Sequence, residues 1–145
     1  MNTPLRHLVA AACLCLGTLA FGADGKVAVS AEEATKIAQD WLKLVDDEKY
    51  AQSWKEAASR FRASVTEEVW VAKMEQGRQP LGAVVSREFA EATPATDVPR
   101  LPKGDYWVVK FRTAFDATKV NEVVILLPDT DGQWHVVGFF IKPAT

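Results

Sequence analysis

The chain has two histidines, and only His135 lies beyond the opening residues. Imidazole, with an ordinary pKa of about 6.5, is the side chain best suited to acid–base work near neutral pH. A lone histidine between Trp134 and Val136 is also what a strand residue at a wet edge looks like, and that reading is preferred. A zinc site takes about four nitrogen or sulfur ligands, which one histidine and no downstream cysteine do not supply. The segment Asp129-Thr130-Asp131-Gly132 begins like a calcium loop. Gly138 and Phe139 stand where the closing glutamate would fall, so a hairpin turn is expected instead. No G-x-S-x-G elbow surrounds any of Ser30, Ser53, Ser59, Ser64 or Ser86, and no glycine-rich phosphate loop occurs. No metal and no cofactor are expected, and no catalytic residue is assigned.

The other chemically capable residues are arginines and aromatics. Arg78 and Arg87 flank a turn and could grip an anionic ligand through paired hydrogen bonds. The alternative, preferred here, is that they pin helix to sheet through nearby acids such as Glu88. Trp41, Trp54 and Trp70 fall on the apolar stripes of helices and read as core, whereas Trp107 and Trp134 lie on strands and are candidates to line a cavity. Tyr106, beside Asp105, completes the set of candidate ligand-binding residues: Arg78, Arg87, Tyr106, Trp107, Trp134 and His135.

These residues must be held by helices followed by strands. Ser30 and Glu33 have capping-box spacing, and Ala34, Ile37, Ala38, Trp41, Leu42 and Val45 make one helical stripe. A second helix is expected to carry Tyr50, Trp54, Ala57, Ala58 and Phe61 on one face. A third begins near Thr66 and ends at Gly77 and Pro80. The acidic pairs Asp46-Asp47 and Glu67-Glu68 sit where carboxylates favour a helix start. A less regular strand over 83–91 and a proline-rich connection over 93–102 follow. Then 106–115 alternates strictly, with Trp107, Val109, Phe111 and Phe115 on one side and Lys110, Arg112 and Asp116 on the other. Segments 122–127 and 133–141 are apolar on both faces. The expected fold class is α+β, with three N-terminal helices packed on one face of a curved four-stranded antiparallel sheet.

The N-terminus bears on location. Arg6 and His7 precede an apolar run over 8–19 and then Ala20-Phe21-Gly22, the parts of a secretory signal peptide. Cleavage is expected after Gly22, leaving a flexible leader over 23–30 and a single domain over 31–145. A lipoprotein signal ending at Cys13 would have an apolar run of only about five residues, short of the usual h-region. Both cysteines, Cys13 and Cys15, fall in the removed segment. A periplasmic or secreted product with no membrane span follows. With 17 basic against 19 acidic residues, dispersed along the chain, nucleic-acid binding is not expected.

The pattern resembles a bacterial family of exported proteins known as domain of unknown function 4019. The resemblance is carried by Trp41-Leu42, Val45-Asp46, Tyr50-x-x-Ser53-Trp54, Trp70, Arg78-x-Pro80-Leu81-Gly82 and Arg87. It continues through Leu101-Pro102-x-Gly104-x-Tyr106, Glu122 and Trp134-x-Val136-x-Gly138-Phe139-Phe140-Ile141-Lys142. It covers about 31–142 and implies an exported domain with no assigned activity. The element order is also similar to the NTF2/cystatin-type α+β cone, which hosts isomerases and dehydratases as well as binding and dimerisation modules. The expected function is a non-enzymatic module that binds a small ligand or a protein partner through the sheet face opposite the helices. Homodimerisation or an envelope protein partner would hide apolar residues there: either Val124, Leu126, Val137, Phe139 and Ile141 or the alternate set. The alternative is a small isomerase or hydrolase with an acid–base site in the cone mouth, using His135 or Asp105 with Tyr106.

Overall fold

The computed structural model describes residues 28–144. The expected signal peptide over 1–22, Cys13, and residues 23–27 of the leader lie outside the described residues. Helix α1 (Ala31–Asp46) starts where the spacing places it. Ser30 Oγ accepts a hydrogen bond from the Glu33 amide at 3.2 Å, and the Ser30 amide donates to the Glu33 carboxylate at 2.7 Å. Two otherwise orphaned amides are satisfied reciprocally, each cap contributing about 1 kcal/mol. Ala34, Ala38, Trp41, Leu42 and Val45 form the buried face of α1, which contacts all four strands.

The expected second helix is two helices, α2 (Tyr50–Lys55) and α3 (Ser59–Ser64), so the described residues form four α-helices rather than three. The apolar stripe runs across the break without interruption, and tertiary hydrogen bonding overrides it. Ala58 adopts an extended backbone and its amide donates to the Val136 carbonyl at 2.8 Å. The Glu56 and Ala57 amides still bond back to carbonyls of α2, and at Ala58 the backbone bonds to the sheet instead of continuing the helix. Helix α4 (Glu67–Gly77) is capped by Thr66 and leads through a 3₁₀ turn (Gln79–Leu81) to Gly82, whose φ of 81° is a glycine conformation.

Strands β1 (Val84–Ala95), β2 (Tyr106–Phe115), β3 (Lys119–Pro128) and β4 (Trp134–Pro143) form one curved, open antiparallel sheet in the order β1-β2-β3-β4. β1 extends beyond the expected end and includes Pro94, which an edge strand tolerates because no ladder amide is demanded there. Register separates the two faces. Trp107, Val109, Phe111 and Thr113 pair with Leu126, Val124, Glu122 and Val120, and these share the side on which Trp41 of α1 meets Phe139 edge-on, with ring centroids 5.5 Å apart. The other side carries Val108, Lys110 and Arg112 beside Ile125, Val123 and Asn121. On β4 the register slips by one residue at Val137: Leu126 pairs with Val136, but Ile125 pairs with Gly138. This bulge puts Val136 on the α1 side and Gly138, Phe140 and Lys142 on the opposite side.

Candidate functional site

A cluster of four buried or half-buried charges joins α1 to the sheet. Glu122, fully buried on β3, receives hydrogen bonds from Arg87 Nε at 2.7 Å and from the Thr113 hydroxyl. The Arg87 guanidinium also donates twice to Asp46 at the end of α1. Arg78 donates to the same carboxylate at 3.1 Å and to the Gly82 carbonyl at 2.9 Å, with its guanidinium 4.2 Å above the Phe115 ring. Burial works against the charge on Arg87, but the bonds to Asp46 and Glu122 outweigh it and hold the guanidinium more firmly protonated than usual. Two cations and two anions balance here, so the cluster neutralises itself. Glu88, the acid named beside these arginines, instead faces Arg112 across the strand pair on the opposite side of the sheet.

The aromatic candidates assemble elsewhere. Tyr106, Trp107 and Trp134 border one shallow depression together with Asp105, Pro94 and Val29. Tyr106 is buried and its hydroxyl donates to the Pro102 carbonyl at 2.7 Å. His135 borders a second cleft of about 520 Å³, where Nδ1 lies 3.1 Å from the Glu56 carbonyl and Nε2 lies 2.7 Å from Asp131. Trp134 is common to both depressions, whereas His135 does not share one with Asp105 and Tyr106. The imidazole meets an acceptor on each side. The Asp131 carboxyl is held below its ordinary range by the Gln133 amide and by His135. Its neighbour Asp129 accepts from the Ser59 amide at 2.6 Å and from the Ser59 hydroxyl, capping α3 from the β3–β4 hairpin. The hairpin geometry itself is closed by Gly132, with φ 80°. Among the described residues, no three histidine, cysteine or acidic side chains converge as metal ligands, and no helix is long and apolar enough to cross a membrane.

A further concavity lies on the sheet face turned away from α1. It encloses about 710 Å³, and no helix residue borders it. Ser86, Glu88 and Glu91 come from β1, Lys110 and Arg112 from β2, Lys119, Asn121 and Val123 from β3, and Lys142 from β4. Register makes Glu88, Arg112, Asn121 and Lys142 a single row across the four strands. Sequence reading reached Lys110 and Arg112 only as the polar side of β2. The row could be found only by fixing the pairing of four strands, since its members are scattered over more than fifty residues.

A meandering antiparallel sheet tied to α1 by a self-neutralised buried ion cluster defines an α+β domain. The chain belongs to the family of proteins of unknown function designated DUF4019, whose family model matches residues 37–139. Asp46, Arg78, Arg87 and Glu122 all fall within that span. No curated protein and no solved structure matches the chain.

Proposed function

We propose that this protein is a non-enzymatic binding module of the bacterial periplasm or exterior, released after Gly22, which takes its partner on the sheet face opposite α1. The arrangement is that of an NTF2/cystatin-like cone with its helices to one side. The contacts of α1 with all four strands and the open, curved sheet support that reading. The observation that carries the functional reading is the groove of about 710 Å³ bordered only by strands and the residue that follows β4. It falls within the range of roughly 300–1,000 Å³ typical of ligand sites. Beside it, Phe140 is 48% exposed, a large apolar ring left in solvent by a chain that buries most of its others.

The test is site-specific photo-crosslinking in the cell of origin, with the reactive group placed at residue 140 and, as a control, at exposed Lys36 on α1. A discrete adduct from residue 140 that is missing from residue 36 supports the reading. Adducts from a probe at His135 alone would move the site to that cleft. A mature chain that does not begin at Ala23, or that stays in the cytoplasm, would remove the proposed location.

A further inference from the structure

The groove and the strip that adjoins it on the same sheet face make two halves that differ in a way that specifies chemistry. One half is the row Arg112, Asn121 and Lys142, with Lys119 two residues from Asn121 on the same strand face. Arg112, Lys119 and Lys142 are exposed and form no ion pair among the described residues, whereas Lys110 is engaged by Glu91. Three free cations on one face stand out in a chain whose net charge is −2. The other half begins one row along the strands, about 7 Å away. There Val123 pairs with Phe140, whose ring lies over Gly138: a methyl group at Gly138 would come within 3.2 Å of that ring and 3.5 Å of Ile125. Neighbouring strands are about 4.8 Å apart, so Arg112 and Lys142, two strands removed, have backbones about 10 Å apart. Side chains of their length can close on one headgroup from both sides.

We propose that this groove seats a single anionic amphiphile, with its phosphate or carboxylate head among Arg112, Lys119 and Lys142 and its apolar body along Val123 and Phe140. The proposal rests on the reading of this face as the binding face and names its ligand class. A concave groove between strands fits one molecule rather than a lipid surface, and the glutamates at its β1 side, Glu88 and Glu91, bound the cationic half.

The experiment is titration of the full mature chain with decyl phosphate below its micellar concentration, followed by amide chemical shifts. Parallel arms use decanol, inorganic phosphate, and vesicles containing anionic phospholipid. The expected result is saturable binding of decyl phosphate, with shifts centred on residues 112, 123, 140 and 142. Decanol and inorganic phosphate should each bind at least about tenfold more weakly, one interaction of roughly 1.4 kcal/mol being lost in each case. Arg112→Ala combined with Lys142→Ala, and separately Phe140→Asp, should each weaken binding by at least about tenfold. Their unfolding midpoints should stay near that of the parent, since all three residues are exposed. Phosphate binding as tight as decyl phosphate, or binding to vesicles alone, would overturn the proposal. No binding of decyl phosphate, with a crosslinked adduct still forming at residue 140, would overturn this ligand class and leave the binding face standing. Loss of both would remove the two together.

Discussion

Arg87 and Asp46 meet through two parallel hydrogen bonds, Nη1 to Oδ2 at 2.6 Å and Nη2 to Oδ1 at 3.0 Å, which fasten β1 to the last turn of α1. The same guanidinium is the cationic partner of Glu122, which has no exposed surface. Removing one member of a buried pair leaves the other charge without compensation, at a cost of about 3–5 kcal/mol. Arg87→Met should therefore lower stability by that order in urea unfolding. Arg87→Lys, which keeps the charge but loses the fork, should fall between the two. A cost below about 1 kcal/mol for Arg87→Met would show that the cluster does not hold α1 to the sheet.

Asp129 gives a pH-dependent counterpart. Burial pushes its carboxyl upward, but hydrogen bonds from the Ser59 hydroxyl and amide and from the Thr130 amide outweigh that and set it below its ordinary value. A depressed carboxyl contributes stability above the unfolded-state pKa of about 3.9, and that contribution is lost as pH falls through the folded value. Asp129→Ala should thus lower the thermal midpoint at pH 7. The gap from the parent should narrow as pH falls below about 4. A gap that stays constant down to pH 3 would mean that the carboxylate does not cap α3.

How much of this was legible in the sequence depends on whether local or distant groups decide each feature. The capping box at Ser30 and Glu33 and the strict alternation of β2 are local, and both appear at their expected positions. The break between α2 and α3 is not local, because the Val136 carbonyl that receives the Ala58 amide lies nearly eighty residues away. The face assignment of β4 turned on one bulged residue, Val137, which no periodicity in 133–141 announces. The charge cluster was half visible. Arg78 and Arg87 drew attention as a pair, but Asp46 reads as the acidic end of a helix and Glu122 as a charged residue in an apolar strand. Only pairing across β1, β2 and β3 shows that they share one site.

Gly82 is the glycine on which the turn into β1 depends. Its φ is +81°, and a β-carbon there would stand 2.9 Å from Cβ of Asp116, whose carboxylate accepts the Ala83 amide. Gly82→Ala combines a left-handed backbone with a contact that no flexible side-chain tip can relieve. The strain alone is of order 1–3 kcal/mol. A midpoint shift in denaturant corresponding to at least about 1 kcal/mol is expected. An unchanged midpoint would show that the turn has another conformation.

Ser53 is the least conspicuous residue of the core and one of its most connected. It has no exposed surface; its carbonyl accepts from Trp41 Nε1 at 2.9 Å, and its hydroxyl accepts from Trp70 Nε1 at 3.0 Å while donating to the Tyr50 carbonyl at 2.8 Å. One small side chain thus ties α2 to α4, and its backbone ties α2 to α1. Ser53→Ala keeps the bond to Trp41 but leaves the buried indole N–H of Trp70 without its acceptor, at about 1–3 kcal/mol. Trp70→Phe removes the donor instead and adds the loss of packing against Phe61, whose ring centroid is 5.0 Å from that of Trp70. If the hydroxyl acts through the indole, the double substitution costs less than the sum of the singles, by about 0.5–3 kcal/mol in a double-mutant cycle. Strict additivity would mean that Ser53 stabilises the core only by filling space, with the Tyr50 carbonyl as its sole partner of consequence.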